Sequence, residues 1–518
     1  MNKTKILWVD DEIEFLRPHI LFLEDKGYEV DTAANAEDAL ELVREKPFDL
    51  VLLDEMMPGK DGLTALGEIK RFNPALPVIM ITKSEEETLM EEAIGAHIDD
   101  YLTKPVNPSQ ILIAAKKILE RGEISQRRMT RDYTRELSQI TGRLMGPMEP
   151  EDWVDLHLNL VNWDLELDAI NASDMREIVH DQRRECNVEF GKYIERHYVN
   201  WIHDSENRPP LSPDVVKKFV YPEIKKGQKV AFFVIDCLRL DQWLTLEKYF
   251  YEFFNIQKDY YFSILPTATP FARNSIFSGL FPIDIERRYP DLWARGEDDE
   301  HSRNRYEAQL LKDQLRLLGY KSPTDPKYIK ILNTEDSNNL EKNLNSFMEG
   351  QFFSVVVNFV DILAHSRSDL PILKEIAPNE SSFRSLTRSW FEHSTVYSIF
   401  KKLAEKNVTV ILTSDHGSIR CMRGAKVLGD RETSTNLRYK YGRNLKVDPK
   451  HAMIIRDPNT LKLPKRNFNL QYIISKEDYY FVYPTNYHKY LAYYRDSFQH
   501  GGISMEEMIL PVVHLQPK

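Results

Sequence analysis

Two groups of residues in this 518-residue chain have the types and spacing for phosphoryl chemistry. The first is acidic. Asp10 and Asp11 follow one short apolar run and Asp54 follows Leu52-Leu53, while Thr82 and Lys104 close two further runs. Three gathered carboxylates repel one another unless a divalent cation lies among them, and an oxygen-only donor set suits magnesium. The cation would neutralise both the acids and an incoming phosphoryl group. Asp54 then reads as the nucleophile, with Lys104 on the acyl phosphate oxygens and Thr82 offering a hydroxyl that follows the new charge. An Asp pair after a strand is commonly a helix cap, but that explanation does not extend to five residues at successive strand ends.

The second group mixes imidazole with carboxylate. Asp236, Asp361 and Asp415 each close an apolar run, at 230–235, 355–360 and 408–413. His365 lies four residues after Asp361, His416 is adjacent to Asp415, and His500 precedes Gly501-Gly502. A lone buried histidine is more often a satisfied core residue, but here each one accompanies a strand-end acid or a glycine turn. Nitrogen and oxygen donors together favour zinc, and six ligand residues are too many for one tetrahedral ion, so two zinc ions are expected. Paired ions clamp the attacking and leaving oxygens of a phosphoryl group. A nucleophile is expected at residues 265–274, where Thr267 and Thr269 stand on a turn entering a helix whose N–H groups favour an anion, although either threonine alone could be a cap. Arg423, Lys426, Arg431, Arg438, Lys440 and Arg443 alternate with Tyr439 and Tyr441 after the second metal motif. That stretch reads as a flap in which Arg438, Lys440 and Arg443 contact a polyanionic substrate and the tyrosines stack on bases. The acidic residues 297–300 read as a surface loop.

The elements that must position these residues divide the chain into three segments. Over 1–122, short β-rich runs at Lys5–Val9, 49–53, 78–81 and near Tyr101 alternate with helical patterns at Ala36–Glu45 and 108–120. That is βα repetition, hence a doubly wound, flavodoxin-like parallel sheet with its site beyond the carboxyl ends of the strands. Residues 123–207 are charged and helical in period, with Trp153, Leu156, Leu160, Trp163 and Leu167 on one face, and predict a helical-bundle linker with those residues in its core. Arg127, Arg128, Arg131 and Arg135 in the run 124–143 are interleaved with acids and no turn pattern follows, so a solvated helix is expected there rather than a DNA reader. After Pro209-Pro210, residues 208–518 return to α/β.

Length supports about three domains, and 42% apolar with 29% charged residues is ordinary globular composition. The net charge of −11 disfavours nonspecific binding to DNA or anionic lipid. The charged first residues leave no room for a signal peptide, and no run approaches the roughly 18 apolar residues of a membrane span, so a soluble cytoplasmic protein is expected, without membrane insertion. Cys186, Cys237 and Cys421 lack a CxxC spacing and argue against both a disulfide framework and a thiolate zinc site.

The first segment resembles the CheY-like receiver family through Val-Asp-Asp at 9–11, Leu-Leu-Asp-Glu-Met-Met-Pro-Gly-Lys-Asp-Gly at 52–62, Ile-Thr-Lys at 81–83 and Tyr-Leu-Thr-Lys-Pro at 101–105. The resemblance implies phosphorylation of Asp54 by a sensor histidine kinase. Magnesium would be held by Asp11, Asp54 and the Met56 carbonyl, with Asp10 acting through water. It further implies Thr82 and Tyr101 as the switch pair, a cis Lys104-Pro105 bond, and a homodimer formed on phosphorylation through the fourth and fifth helices. The last segment resembles the alkaline phosphatase superfamily, most closely its PglZ branch. The matching pieces are Val-Ile-Asp-Cys-Leu-Arg-Leu-Asp at 234–241, Pro-Thr-Ala-Thr-Pro at 266–270, Phe-Ser-Gly at 277–279, Asp-Ile-Leu-Ala-His at 361–365, Ser-Asp-His-Gly at 414–417 and His-Gly-Gly at 500–502. This resemblance implies one zinc ion on Asp236, Thr269, Asp415 and His416 and a second on Asp361, His365 and His500, with Thr269 as nucleophile. Arg273 and Asn274 both stand as candidates to stabilise the transferring oxygens, because the asparagine spacing departs from that of the superfamily's nucleotide diesterases. A receiver joined through helices to a PglZ domain is similar to the response regulators of type IX secretion. That implies a nucleotide phosphodiesterase with a secretion component and a sigma factor as partners. The competing reading is an adaptor that acts by docking, with a structural zinc site.

Overall fold

Nearly continuous apolar strands, buried on both faces, set the frame of the N-terminal unit. A computed structural model describes residues 4–83, 98–119, 121–170, 173–291, 304–430, 434–465 and 469–518, which fall into two units, Met1–Thr134 and Arg135–Lys518. In the first, β1 (Lys5–Val9), β2 (Glu29–Ala33), β3 (Leu50–Asp54), β4 (Val78–Thr82) and β5 (Asp100–Thr103) form one sheet in the order β2-β1-β3-β4-β5. Every pairing is parallel. Alternate residues of β1 and β3 feed opposite layers: Leu7, Val9, Val51 and Leu53 pack with Ala39, Leu40 and Leu66, whereas Ile6, Trp8, Leu50 and Leu52 pack with Ile20, Leu23 and Ile111. The strand order reverses between β1 and β3, the crevice where such sheets bind ligands. Asp10 and Asp54 stand there. The helices Ala36–Glu45 and Gly62–Phe72 start where Asn35 and Asp61 accept from the Asp38 and Thr64 amides, at 2.8 and 2.7 Å.

The second unit is built on a six-stranded sheet. β6 (Val230–Ile235), β7 (Phe254–Phe262), β8 (Lys327–Ile331), β9 (Phe352–Val357), β10 (Thr409–Thr413) and the C-terminal strand Ile509–Pro517 run in the order β7, C-terminal strand, β10, β6, β9, β8. β10, β6, β9 and β8 are mutually parallel, and the C-terminal strand is antiparallel to both its neighbours. Asp361 lies beyond the expected strand: β9 ends at Val357, the chain turns at Asn358, and Asp361 falls in the first turn of the helix Phe359–Asp369.

The linker helices Pro150–Ile170 and Ser173–His203 follow the predicted periodicity. Trp153, Leu156, Leu160 and Leu167 are buried and Trp163 is half-buried. These helices share one hydrophobic cluster with the six-stranded sheet, since Trp153, Leu156 and Phe190 pack with Leu211, Phe262, Phe271 and Ile509. His157 is buried, and burial lowers its imidazole to about 3. The unfolded chain, with an ordinary imidazole near 6.5, therefore holds the proton more tightly than the folded one. Stability should fall below about pH 6.5 by up to about 1.4 kcal/mol per pH unit. His157→Phe should flatten the decline of the urea midpoint between about pH 6 and 4; a slope equal to that of the wild type would refute this account.

Candidate active site

At the carboxyl end of the receiver sheet, ligand atoms of Asp10, Asp11 and Asp54 lie within 4.8 Å of one another. Asp10 and Asp54 are buried and Asp11 is exposed. The Lys104 ammonium donates to Asp10 Oδ2 and to Asp54 Oδ2, both at 2.9 Å. Burial raises the Asp54 carboxyl above its ordinary range despite Lys104; burial opposes the Lys104 charge, yet its bonds to Asp10 and Asp54 leave it raised. One ammonium facing three carboxylates leaves a donor set that fits a divalent cation. Gly62 is required here, because a Cβ would stand 2.2 Å from the Asp54 carbonyl oxygen. The Thr82 hydroxyl donates to Glu55, Met56 and Tyr101 are exposed, and the Lys104-Pro105 bond is cis. The fifth receiver helix is Pro108–Leu119, whereas the segment expected to hold the fourth, and with it half of the proposed dimer face, lies outside the described residues.

In the second unit, the carboxyl ends of β6 and β10, the helix after β9 and the loop before Gly501 bring two triads together. Ligand atoms of Asp236, Asp415 and His416 lie within 4.8 Å of one another, as do those of Asp361, His365 and His500. The His416 and His500 rings stack with centroids 4.3 Å apart, so the triads adjoin. His365 Nε2 lies 3.1 Å from His500 Nε2, and these nitrogens stand 3.3 and 3.5 Å from Asp361 Oδ1. Asp361 Oδ1, Asp415 Oδ2 and His500 Nδ1 are buried with no hydrogen-bond partner among the described residues. Burial pushes Asp236 up to about 7 and Asp415 up to about 6, and lowers both His416 and His500. Buried carboxylate oxygens without hydrogen bonds, converging with neutral imidazoles, fit divalent cations with nitrogen and oxygen ligands. Gly417 admits the turn after His416, since a Cβ there would meet the Glu506 carbonyl oxygen at 1.9 Å.

Thr269 is the first residue of the helix Thr269–Ser278. Its Oγ1 lies 3.0 Å from His416 Nε2 and 3.5 Å from Asp236 Oδ1, and it lines a cavity of about 450 Å3 with Asp236, Arg273, Asp361, His365 and His500. Thr267 is buried and differently engaged: its hydroxyl donates to the Gly502 carbonyl and accepts from the Gly501 amide, at 2.8 and 3.2 Å. Arg273 reaches Asp236 Oδ2 at 2.5 Å and Glu307 Oε1 at 2.6 Å. Asn274 turns back into its own helix, donating to the Pro270 carbonyl at 3.0 Å, and does not line the cavity.

Arg438 and Lys440 do not face solvent as a flap requires. Arg438 is fully buried, with Nε and Nη2 on Glu507 at 3.1 and 2.5 Å and a further bond to Ser475. Lys440 is also buried and donates to the Ser434 carbonyl at 3.0 Å, and Tyr439 is core. A guanidinium can be buried only where acceptors surround it, so the role of these residues is structural. Arg443 is exposed on the loop after the strand Tyr439–Gly442, Arg423 pairs with Asp478, and Arg431 and the acidic 297–300 lie outside the described residues. Sequence reasoning missed Asn304, Glu307, Lys330 and Asn358. Asn358 Nδ2 holds Asp236 Oδ2 at 2.9 Å, and Asn304 Nδ2 reaches the Thr269 carbonyl at 3.2 Å. Only Asn358, the first residue past β9, carried a usable signal, its place at a strand end.

Residues 215–515 match the BREX system PglZ alkaline phosphatase-like domain, residues 6–116 the response regulator receiver domain and residues 123–202 the PorX response regulator linker domain. Among curated proteins, the chain is similar to the transcriptional regulatory protein ResD of Bacillus subtilis, 40% identical over 120 residues, covering 23% of this chain and 50% of that protein. It is similar also to the alkaline phosphatase synthesis transcriptional regulatory protein PhoP of the same organism, 37% identical over 127 residues, covering 24% and 52%. The chain thus spans about half the length of the curated relatives it matches. Among solved structures, it is similar to a CheY-like receiver domain protein from Methanospirillum hungatei, at 32% identity, 23% of this chain, 96% of that one and a TM-score of 0.23.

Proposed function

Since this chain belongs to the PglZ alkaline phosphatase-like family and carries the receiver and linker of a PorX-type response regulator, we propose that phosphorylation of Asp54 by a sensor histidine kinase controls a two-zinc phosphodiesterase acting on linear or cyclic nucleotides. The observation that carries the reading is the placement of the Thr269 hydroxyl, 3.0 Å from His416 Nε2 and in the lining of a cavity shared with Asp236, Asp361, His365 and His500. Asp236, Thr269, Asp415 and His416 would hold one zinc ion, and Asp361, His365 and His500 the other. When bound, the ions lower the pKa of an oxygen nucleophile and neutralise phosphoryl charge. Thr269 gives up its hydroxyl proton to solvent and Oγ1 attacks phosphorus as the bond to the leaving alkoxide breaks, and the alkoxide takes up a proton from water. Water then hydrolyses the phosphothreonine, returning the hydroxyl. Arg273 acts through Asp236, whose carboxylate it orients together with Asn358, and is a positioning residue.

Asp10, Asp11, Asp54 and the Met56 carbonyl would hold magnesium in the receiver. The PorX-type arrangement supports type IX secretion as the controlled process, with a secretion component and a sigma factor as partners and a homodimer formed on phosphorylation. Turnover of bis(p-nitrophenyl) phosphate and of a linear dinucleotide by the zinc-loaded full chain, with and without acetyl phosphate and magnesium, tests this reading. Wild type should hydrolyse both at a rate that responds to acetyl phosphate, whereas Asp54→Ala should neither be phosphorylated nor respond. Absence of zinc-dependent turnover in either state would leave the docking adaptor as the better account.

A further inference from the structure

We infer that Lys330 is a substrate anchor, its ammonium holding the anionic oxygens of the phosphate group that enters the cavity above Thr269. The inference rests on the hydrolase reading and adds a substrate-binding residue to it. Lys330 lies on the edge strand β8, on the same face as Tyr328, and lines the cavity together with Asp236, Thr269 and Arg273.

Two of the carboxylates that act on this lysine, Glu307 and Asp236, are already engaged by other donors. Glu307 receives Arg273 Nε and Asn304 Nδ2 on Oε1, both at 2.6 Å, and the Tyr328 hydroxyl on Oε2. Asp236 Oδ2 receives Arg273 at 2.5 Å and Asn358 at 2.9 Å. Among the described residues, no hydrogen bond and no ion pair within 4.0 Å reaches the Lys330 ammonium. The residue is half-buried, and burial, reinforced by the charge of Arg273, lowers its pKa from the ordinary value. Glu307, Asp236 and Asp415 offset this in part from a distance, but a partly buried cation without a direct bond to a counter-ion is costly. An anion in the cavity would remove that cost.

Asn304 Oδ1 and Asn358 Oδ1 also lie on this wall without a hydrogen-bond partner among the described residues, but as acceptors they do not hold phosphate oxygens. Arg273 spends Nε on Glu307 and Nη1 on Asp236, so its charge is already balanced by two carboxylates. Phosphate oxygens meeting a charged donor form short, charge-assisted bonds. Among the described residues, Lys330 is the cation of this wall without such a bond, so it meets the substrate while Arg273 braces the carboxylate beneath it.

The test uses the zinc-loaded full chain, with inorganic phosphate as the calorimetric probe, bis(p-nitrophenyl) phosphate as the substrate, and the variants Lys330→Gln and Lys330→Arg. Losing a charged hydrogen bond should weaken phosphate binding of Lys330→Gln by about tenfold or more, and raise KM more than it lowers kcat. Its zinc content should equal that of wild type, and Lys330→Arg should recover most of the affinity. Unchanged phosphate affinity in Lys330→Gln would overturn the inference. So would loss of zinc from that variant, or failure of the arginine to rescue it, since either would mark a structural role. If wild type bound phosphate through Lys330 yet turned over no diester, the hydrolase reading would fall and the anion anchor would stand. If wild type turned over diesters with no dependence on Lys330, the anchor would fall and the hydrolase reading would stand.

Discussion

Purified Thr269→Ala should fold, keep the zinc of the Asp361, His365 and His500 triad, and hydrolyse nucleotide diesters at about a thousandth of the wild-type rate or less, because covalent catalysis cannot proceed without its nucleophile. The geometry makes the substitution a clean one. Thr269 is half-buried, its hydroxyl faces His416 and Asp236, and its carbonyl, which accepts from Asn304, remains in the variant. Thr269→Ser should keep a hydroxyl at that position and most of the activity. Thr267→Ala should behave differently. That hydroxyl is buried and clamps the Gly501-Gly502 turn beside His500, so its loss should lower stability and loosen the second triad without removing the attacking group. Turnover, zinc content and thermal midpoint of the three variants separate the two roles. A Thr269→Ala enzyme with wild-type kcat would refute the nucleophile, and a Thr267→Ala enzyme with the larger loss of kcat would exchange the assignments.

The parts of this molecule legible in its sequence are those where chemistry and chain position coincide. Asp10, Asp54, Asp236 and Asp415 each close an apolar run, so periodicity alone places them at one end of a sheet, and the order of His365, His416 and His500 relative to those acids sorts them into triads. Asp361 stands four residues past its strand end because the apolar run at 355–360 continues into the first turn of a helix, where Phe359 and Val360 pack inward. The basic stretch misleads for a different reason. Its charges meet partners remote in sequence, Arg438 with Glu507 and Arg420 with Asp496, and nothing local distinguishes a buried, fully bonded arginine from a solvated one. Lys330 sits on an edge strand whose alternation is weak, and its cavity is assembled from loops and helices spread widely along the chain, from Asp236 to His500 by way of Asn358 and Asn436. The periodicity of the linker helices predicts a bundle with its own core. Trp153 and Phe190 instead share the core of the six-stranded sheet, and acids on the helices' other faces, Asp164 and Asp168, are paired with Arg183 and Arg384.

Those acids carry the second large effect, expected at Arg384. Its guanidinium is buried and bridges Asp168 on the linker helix, at 2.7 Å, to Asp241 in the PglZ domain, at 2.9 Å, with Asp164 at 3.9 Å. Burial pushes the Asp241 carboxyl up, but Arg239 and Arg384 together hold it well below the usual range. Its contribution is therefore present at neutral pH and is lost only as the pH falls below the unfolded-state value. Arg384→Met would leave buried carboxylates facing one another with too little positive charge, at a cost of about 3–5 kcal/mol. A urea midpoint within about 1 kcal/mol of wild type would refute the network. Pairing Arg384→Met with Asp168→Leu should cost less than the sum of the two single changes, because the second removes a charge that the first strands. The consequence should extend to chemistry as well. Arg239 and Asp241 follow Asp236 by three and five residues on one turn, and on the other side Arg183 reaches Asp164 as well as Glu506, whose carbonyl abuts Gly417 beside His416. Both ligand-bearing loops are thus tied to the linker helices by buried charge. Arg384→Met should accordingly lose zinc affinity and turnover even where it remains folded, although the residue touches neither metal ligand nor substrate. A stable variant with unaltered kcat and zinc content would mean that these ties hold the helices in place without positioning the ligands.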